Sequence, residues 1–431
     1  MQAIDRSSLE PEWRKAFEWV EANVGPIVAG ERQARWRPCG YRDVAKDGQS
    51  LPLYFRGDRG EADHGVYPLE HEMRVLQLLE EEGLPVPHVY GFCDEPRGIV
   101  MERKPGRANL ATAESEQERS SVLAHYVELM AGMHAIDVDR AAEKLGLEKP
   151  TSPEQLALGD FDHWEKNYRE FKLRPEPLIE FAIRWIRAHV PQGRTQVSLI
   201  HCDAGQFVFD AGRVTAILDL ELAYLGDPAA DFAGMLCRDL SEPLGDIRAG
   251  LRRYEEVTGR VVDLRAVYYH TIRFGMCTPM VCAHLAAEPP QSVNWPQYQA
   301  WYLVYGRVPI ELIARLEGVE LDPLQLPAAR PTRAAPAADS LVATLAEARK
   351  AAEDSPQHYE IDTAYRLAQY LDQVERYAAA FEADDLDDVA KLLGTRPASW
   401  PDADAALEAF ALEAPPERTP DILRVLHRQV L

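Results

Sequence analysis

The stretch LIHCDAGQFVFDAGRVTAILDLELAYLGDPAADFAG, residues 199–234, contains the pattern that decides the fold of this chain. Apolar runs predict three short strands, at 197–200, 207–209 and 214–218. The Asp-Ala-Gly sequence at 210–212 supplies a turn between the last two strands. Two acidic residues, Asp203 and Asp219, then follow strand ends, and we expect them to lie beside one loop.

Two separated carboxylates suit phosphoryl transfer, because this reaction asks little covalent chemistry of the protein. One carboxylate orients or deprotonates the attacking hydroxyl, and the other holds Mg²⁺ against the phosphates of a nucleotide. Each acid alone also has an ordinary explanation, Asp203 as a turn residue and Asp219 as a helix cap. Their joint context favours the phosphotransfer site.

The motif His-Cys-Asp at 201–203, followed by ILDLELAYLGDPAADFA at 217–233, resembles the aminoglycoside phosphotransferase and choline kinase superfamily. The resemblance covers residues 30–315. Within the superfamily, the chain looks most similar to the branch associated with acyl-CoA dehydrogenases. It implies an α+β, bilobal protein-kinase-like fold with a small β-rich N-terminal lobe and a mainly helical C-terminal lobe. Asp227 and Asp231, near the start of an apolar helix, are expected to cap or brace the loop.

The resemblance also implies roles at the chemical centre. Asp203 matches the catalytic base, His201 belongs to the same catalytic motif, and Asp219 matches an Mg²⁺ ligand. The family usually places a metal-binding Asn five residues after the base, where this chain has Val208. We therefore predict a loop two residues shorter, in which Gln206 supplies the amide oxygen as second metal ligand.

A nucleotide site also needs a turn over the phosphates and a basic residue beneath them. The polar segment 37–43, which contains Gly40, predicts such a hairpin together with the tight turn at 46–49. The run 53–56 alternates like a strand. Its last residue, Arg56, stands where the resembling family has a phosphate-contacting lysine.

The segment LEHEMRVLQLLEEE, residues 69–82, has helical periodicity and is closed by Gly83. The resemblance implies that an acid on this helix pairs with Arg56 and fixes it near the phosphates. Glu72 matches this role, with Glu70 as the alternative. A solvated charge on an amphipathic helix is the ordinary explanation.

Residues 98–103 predict a strand that runs to the hinge between the lobes. By resemblance, backbone groups near Met101 and Arg103 would contact the base of the donor nucleotide, ATP or GTP. The phosphates would need a local basic pocket in this acidic chain, for which the arginines available are Arg37, Arg42 and Arg56.

Composition describes a folded and strongly acidic protein, with 46% hydrophobic residues and a formal net charge of −23. Such a charge argues against nucleic acid or an anionic membrane as partner, since both reward Lys and Arg. The six cysteines lack paired CxxC spacing, and the chain opens without a charged and apolar leader. We therefore predict reduced thiols, a cytoplasmic location and no membrane span.

The resemblance predicts a small-molecule kinase whose acceptor carries a hydroxyl group, with a hydroxyacyl-CoA or a hydroxy acid as the substrate class. An antibiotic kinase is less favoured, because residues 260–310 show no dense acidic patch that would neutralise the ammonium groups of an aminoglycoside. A nucleotide-binding pseudokinase or interaction protein is the alternative from another class.

The domain organisation follows from composition and periodicity. Prolines punctuate an Ala-rich linker, and apolar stripes at helical spacing follow it. The predicted domains are an N-terminal lobe with a leading helix, a helical C-terminal lobe, the linker, and an all-helical appendage, at 1–103, 104–322, 323–339 and 340–431. Docking on the lobes, formation of a homodimer, and shaping of the acceptor cleft are open roles for the appendage.

Overall fold

The computed structural model of the chain describes residues 10–33, 39–46, 49–58, 65–290, 293–323, 325–330, 332–353 and 357–430. These residues form two compact units. The first comprises the described parts of 1–160 and 191–270, and the second those of 161–190 and 271–430.

The first unit begins with a helix and an antiparallel sheet. Helix α1 spans Pro11–Asn23, and the strands are β1 (Ile27–Gln33), β2 (Cys39–Lys46), β3 (Gln49–Gly57), β4 (Val89–Asp94) and β5 (Arg97–Glu102). Their order in space is β1-β2-β3-β5-β4, so that β3 lies in the middle of the sheet. Helix α2 (Leu69–Glu81) buries Leu69, Leu76 and Leu79, as its periodicity predicts, and Gly83 follows it with a φ of +77°.

The rest of the first unit is mainly helical. Its helices are α3 (Glu116–His134), α4 (Val138–Leu145), α5 (Pro153–Leu158), α8 (Ala229–Asp239) and α9 (Ile247–Thr258). Four short strands precede α8 in the chain, β6 (Ser198–Ile200), β7 (Phe207–Asp210), β8 (Arg213–Ile217) and β9 (Tyr224–Gly226). One continuous core joins α2, α3 and these strands, through fully buried side chains such as Leu79, Val127, Leu199 and Phe209.

The three strands predicted from the sequence are present as β6, β7 and β8. Strand β6 pairs with β9, and β7 pairs with β8 as a hairpin whose last pair is Asp210 with Arg213. The two turn residues have positive φ, 46° at Ala211 and 75° at Gly212, as a tight two-residue turn requires. Local chemistry therefore fixes the connection that separates the two candidate acids.

The second unit is helical in its described residues. It contains α6 (Phe161–Phe171), α7 (Pro177–Ala188), α11 (Trp295–Glu317), α12 (Ala335–Ala351), α13 (His358–Leu393), α14 (Trp400–Glu413) and α15 (Thr419–Gln429). Helix α10 (Leu264–Ala287) has residues in both units. Within the described ranges, no helix combines the length and apolar character needed to cross a lipid bilayer.

The predicted linker at 323–339 extends too far. Helix α12 begins at Ala335, so the last five residues of the predicted linker are helical, with Pro336 in the first turn. A proline is tolerated there because the first helical N–H groups have no partner within the helix. The separate apolar stripes predicted from the sequence at 365–374 and 386–393 belong to the single long helix α13.

The two units do not coincide with the boundaries predicted after residues 103 and 322. The C-terminal helices share a unit with α6 and α7, which the sequence places in the preceding lobe. The guanidinium of Arg184 on α7 donates to the carbonyl oxygens of Ala411 and Ala414, each at 2.7 Å. Lys172 donates to both Glu180 and Glu408, at 2.7 Å. Periodicity identifies such helices but does not reveal which of them pack together.

A carboxyl group on α14 gives a prediction for stability. Burial, together with the charge of Glu176, raises the pKa of Asp404 from 3.8 to about 7, although Arg174 opposes the shift. Because the folded pKa is raised, Asp404 adds stability at low pH that is lost as pH rises towards 7. We expect Asp404→Asn to stabilise the protein at pH 8 by on the order of 2 kcal/mol, and much less at pH 5. Urea unfolding at the two pH values measures both changes.

The matched control for that prediction is Asp402→Asn on the same helix. Asp402 is exposed and accepts a hydrogen bond from the Ser399 hydroxyl at 2.7 Å. We expect no stabilisation at pH 8 from this second substitution. Equal effects of the two substitutions at both pH values would contradict the assigned burial of Asp404.

Candidate active site

A buried ion pair connects the central strand of the sheet with helix α2. Arg56 lies near the end of β3, and its Nε donates to Oε2 of Glu72 at 2.5 Å. The two side chains are 11% and 2% exposed, so the pair is shielded from water. The alternative acid, Glu70, instead accepts from the exposed Arg97 at 2.7 Å. The structure therefore brings together Glu72 and Arg56, as the sequence analysis expects.

Arg56 also contacts the loop that follows β8. Its terminal nitrogen donates to Oδ1 of Asp219 and lies 3.3 Å from Oε2 of Glu221. Burial alone would lower the pKa of Arg56, but Asp219, Glu72 and Glu221 together raise it well above its ordinary value. Asp219 has a φ of +60°, which is uncommon for a residue with a side chain and which aims its carboxylate at the arginine.

The loop that contains His201 and Asp203 is hydrogen-bonded to Asp231 on α8. The carboxylate of Asp231 is fully buried and accepts the backbone N–H groups of His201 at 3.1 Å and Cys202 at 2.8 Å. Its Oδ2 also contacts Nε2 of His134 at 2.9 Å. Cys202 has a φ of +71°, and these hydrogen bonds hold that strained conformation in place. Asp231 therefore braces the loop, as expected.

His201 takes part in a chain of hydrogen bonds that links the loop of Asp203 to the backbone of Asp219. The N–H of Gly205 donates to the hydroxyl oxygen of Tyr126 at 2.7 Å, and that hydroxyl lies 3.2 Å from Nδ1 of His201. Nε2 of His201 lies 3.1 Å from the carbonyl oxygen of Asp219, which can only accept, so Nε2 carries the proton. Both ring nitrogens are engaged and the residue is 1% exposed. Both ring nitrogens of His201 thus have partners within the protein, whereas the sequence analysis places this residue in the catalytic motif.

The two oxygens of Asp203 have different surroundings. Oδ2 accepts from Gln206 at 2.7 Å and from Arg238 at 2.6 Å. Within the part of the chain that the structure describes, Oδ1 has no donor, and the side chain is 24% exposed. Burial raises the pKa of Asp203, Arg238 opposes this shift, and the nearby charge of Asp219 adds to it. One oxygen is thus fixed, while the other is available to a ligand.

Gln206 connects the two acidic loops. Its backbone oxygen accepts from the N–H of Leu218 at 3.0 Å, directly before Asp219. Its amide nitrogen donates to Asp203, which leaves the amide oxygen without a donor among the described residues.

The described residues contain no cluster of three or more His, Cys, Asp or Glu side chains that could hold a metal ion. An Mg²⁺ ion commonly takes only one or two protein oxygens and completes its shell with phosphates and water. The Asp219 carboxylate and the Gln206 amide oxygen fit that requirement.

Several predicted nucleotide contacts do not come together in this way. Gly40 lies inside strand β2, paired with Phe55 and Arg32, and so belongs to the sheet. Residues 47–48 of the predicted turn and residues 34–38, which include Arg37, lie outside the described residues.

Two predicted hinge positions have backbone partners in the neighbouring strands. Met101 is buried and paired on both sides, with Tyr54 in β3 and Val89 in β4. The backbone N–H of Arg103 donates to the carbonyl oxygen of Pro52 at 3.0 Å. That N–H is therefore used within the protein, so the predicted contact with the base would have to come from another backbone group near Met101 and Arg103. Sequence periodicity placed the strand correctly but could not show that both of its edges are paired.

Arg42 was predicted as part of a phosphate pocket, and this prediction is wrong. The side chain is 4% exposed and its guanidinium lies over the rings of Trp13 and Phe17 on α1, 5.0 and 4.6 Å from their centroids. Burial lowers the pKa of Arg42 to about 10. The residue therefore attaches the leading helix to the sheet.

Arg238 is the residue at this site that the sequence analysis missed. It lies on α8 and contacts Asp203 across 35 positions of sequence. The available signal was that it is the one basic residue of the apolar helix AADFAGMLCRD.

Asp227, just before that helix, accepts two hydrogen bonds from the guanidinium of Arg194, at 2.7 and 2.6 Å. This contact keeps the pKa of Asp227 low despite burial.

Comparison with known proteins relates about half of this chain to phosphotransferases. Residues 56–267 match the model of the family described as "Phosphotransferase enzyme family". The acyl-CoA dehydrogenase family member 10 of Mus musculus is 28% identical over 211 residues, which are 43% of this chain and 19% of that protein. This chain therefore corresponds to about a fifth of the length of that relative.

Solved structures agree in fold. A candidate aminoglycoside phosphotransferase from Ralstonia eutropha has a TM-score of 0.54 at 19% identity, over 70% of this chain and 98% of its own. A thermostable mutant of aminoglycoside phosphotransferase APH(4)-Ia, in ternary complex with AMP-PNP and hygromycin B, has a TM-score of 0.50 at 15% identity. It covers 68% of this chain and 98% of its own. Identities this low show the fold alone, which is kinase-like. The chain thus carries, at residues 56–267, a domain of the phosphotransferase enzyme family.

Proposed function

We propose that this protein transfers the γ-phosphoryl group of ATP or GTP to the hydroxyl group of a small metabolite. The observation that carries the proposal is that two acidic loops lie side by side and that one of them contacts Arg56. Asp219 contacts Arg56, and Arg56 also donates to Glu72. Asp203 uses one carboxylate oxygen for Gln206, which leaves the other available to a ligand. Phosphoryl transfer is catalysed mainly by such positioning and charge stabilisation.

Asp203 is the proposed catalytic base. Its Oδ1 would accept the hydrogen bond of the acceptor hydroxyl and take the proton as the new O–P bond forms. Burial raises the pKa of Asp203, which brings it closer to the working range of a base, while Arg238 limits the shift. His201 would keep the loops of Asp203 and Asp219 in register through its ring hydrogen bonds.

The charge of the site supports a divalent cation as cofactor. The six side chains Arg56, Arg238, Glu72, Asp203, Asp219 and Glu221 include two arginines and four carboxyl groups, a formal charge of −2 when all are ionised. A nucleotide triphosphate would meet repulsion there. Asp219 and Gln206 would hold Mg²⁺, which neutralises phosphate charge when it is bound. Arg56 would then exchange its contact with Asp219 for a phosphate oxygen while Glu72 keeps its orientation.

The acceptor class is proposed from the relatives. The mouse relative is named as an acyl-CoA dehydrogenase family member, which supports a hydroxyacyl-CoA or a hydroxy acid as acceptor. A homodimer through α12–α15 remains part of this proposal, as does a cytoplasmic location.

The test is a turnover assay with the wild-type protein. It would be incubated with Mg-ATP or Mg-GTP and with hydroxyacyl-CoA esters, hydroxy acids and aminoglycosides, one at a time. Release of nucleoside diphosphate and the ³¹P spectrum of the product report transfer. We expect acceptor-dependent turnover with a hydroxyacyl compound. Tight nucleotide binding without transfer to any acceptor would instead identify a pseudokinase, and transfer to aminoglycosides alone would identify an antibiotic kinase.

The proposed metal role of Gln206 gives a separate prediction. Gln206→Ala removes the amide oxygen, so the Mg²⁺ concentration for half-maximal activity should rise by about 10-fold, since one ligand is lost. Gln206→Glu, which keeps an oxygen at the same distance, should restore part of the affinity. A magnesium titration at saturating nucleotide measures both. An unchanged magnesium requirement in Gln206→Ala would remove this residue from the metal site.

A further inference from the structure

One face of helix α8 contacts the loop of the candidate base on successive turns. Asp231, Gly234 and Arg238 have the spacing of a single helical face. Asp231 accepts the N–H groups of His201 and Cys202. A Cβ atom at Gly234 would meet the carbonyl oxygen of Cys202, so the helix backbone and the loop are in direct contact there.

Arg238 completes this face at the carboxylate itself. Its terminal nitrogen donates to Oδ2 of Asp203 at 2.6 Å, and the two side chains are 19% and 24% exposed. Gln206 donates to the same oxygen at 2.7 Å. Two donors on one oxygen fix the rotation of the carboxyl group, because the other oxygen must then point away from both. A charged donor on a packed helix supplies more of this restraint than a neutral amide on a loop.

We propose that Arg238 is a positioning residue for phosphoryl transfer, which holds Oδ2 of Asp203 so that Oδ1 faces the acceptor hydroxyl. This inference depends on the function proposed above. Arg238 acts through Asp203 and does not itself meet the reacting atoms. Its effect should therefore appear in kcat, with little change in the affinity for nucleotide.

The experiment compares Arg238→Met and Arg238→Lys with the wild-type protein. Methionine keeps the apolar length of the side chain, and lysine also keeps a donor and a positive charge. We expect Arg238→Met to lower kcat by about 10- to 100-fold, with KM for Mg-ATP changed by less than about 3-fold. Arg238→Lys should recover part of the loss. Arg252→Met on α9 is the matched control, since the Arg252 side chain is 64% exposed and lies 3.6 Å from the exposed carboxylate of Asp246.

A double substitution tests whether Arg238 acts through the base. In a background of Asp203→Asn, we expect Arg238→Met to add little further loss, because the two residues form one unit. A full additional loss in that background would overturn the inference, and so would an unchanged kcat in Arg238→Met.

Thermal unfolding of each variant separates positioning from folding. A fall in kcat that follows the loss of folded protein, and that Arg238→Lys reverses only together with stability, would also overturn the inference. A wild-type protein that transfers phosphoryl groups to no acceptor, not even water, would refute the proposed function first. An active wild-type enzyme that tolerates Arg238→Met would refute the positioning role alone.

Discussion

Asp203→Asn is expected to lower kcat for phosphoryl transfer by about 10²- to 10⁴-fold, the usual contribution of a general base. The amide can still accept from Arg238 and Gln206, so the loop should keep its conformation. It cannot take a proton from the acceptor. Binding of a nucleotide analogue should change little, because the groups proposed for the phosphates, Arg56 with Glu72, are untouched. Steady-state kinetics and calorimetric titration with the analogue measure the two quantities.

Asp210→Asn is the matched control. Asp210 is exposed at the end of β7, beside the hairpin turn, and carries the same charge. We expect wild-type kinetics from this variant. A kcat for Asp203→Asn within about 10-fold of wild type would mean that Asp203 is not the base, and the assignment of the site would have to be abandoned.

Gly234→Ala is expected to reduce both stability and activity, although alanine favours a helix more than glycine does. A Cβ atom at this position would press on the carbonyl oxygen of Cys202 and lie 2.7 Å from the backbone nitrogen of Ala204. Both neighbours are backbone atoms of the loop that carries Asp203, so relief requires that the loop moves. We expect a loss of about 1–3 kcal/mol, as for overpacking in a core, and a fall in kcat of about 100-fold from the displaced base.

Gly306→Ala on α11 is the control for that experiment. The nearest atom to an added Cβ there is Leu178 Cδ2, at an ordinary contact distance of 3.4 Å. This substitution should leave activity unchanged and stabilise the helix by up to about 1 kcal/mol. Urea unfolding of both variants gives the stabilities. If Gly234→Ala also proved stabilising, the contact between α8 and the loop would be looser than the structure describes.

The sequence alone could predict those parts of the site that depend on neighbouring residues. The hairpin between Asp203 and Asp219 follows from two short apolar runs and a turn with positive φ. Helix α2 follows from apolar residues at helical spacing. The pairing of Arg56 with Glu72 was expected only from the resemblance to a known family, and the structure contains this ion pair. Whether they hold phosphate remains a prediction.

Other contacts could not be read from the chain, because they depend on which distant elements pack together. Arg42 and Arg56 are both arginines in neighbouring strands, yet one contacts aromatic rings on α1 and the other contacts carboxylates. A long side chain binds whichever partner compensates its desolvation, and that partner is set by packing. For the same reason the contact of Arg238 with Asp203, 35 positions away in the sequence, was not predicted.

The order of residues by itself determined the local framework of this protein, namely its strands, helices and turns and the spacing of the two acids. Backbone hydrogen bonding and periodic burial are properties of consecutive residues, and so they can be recognised in a sequence. The tertiary structure decided which oxygen of Asp203 is restrained, why His201 is turned inward to Tyr126, and which helices share the second unit. These features are settled by burial of polar groups between segments far apart in the chain, where each donor must find an acceptor or lose its hydration without compensation.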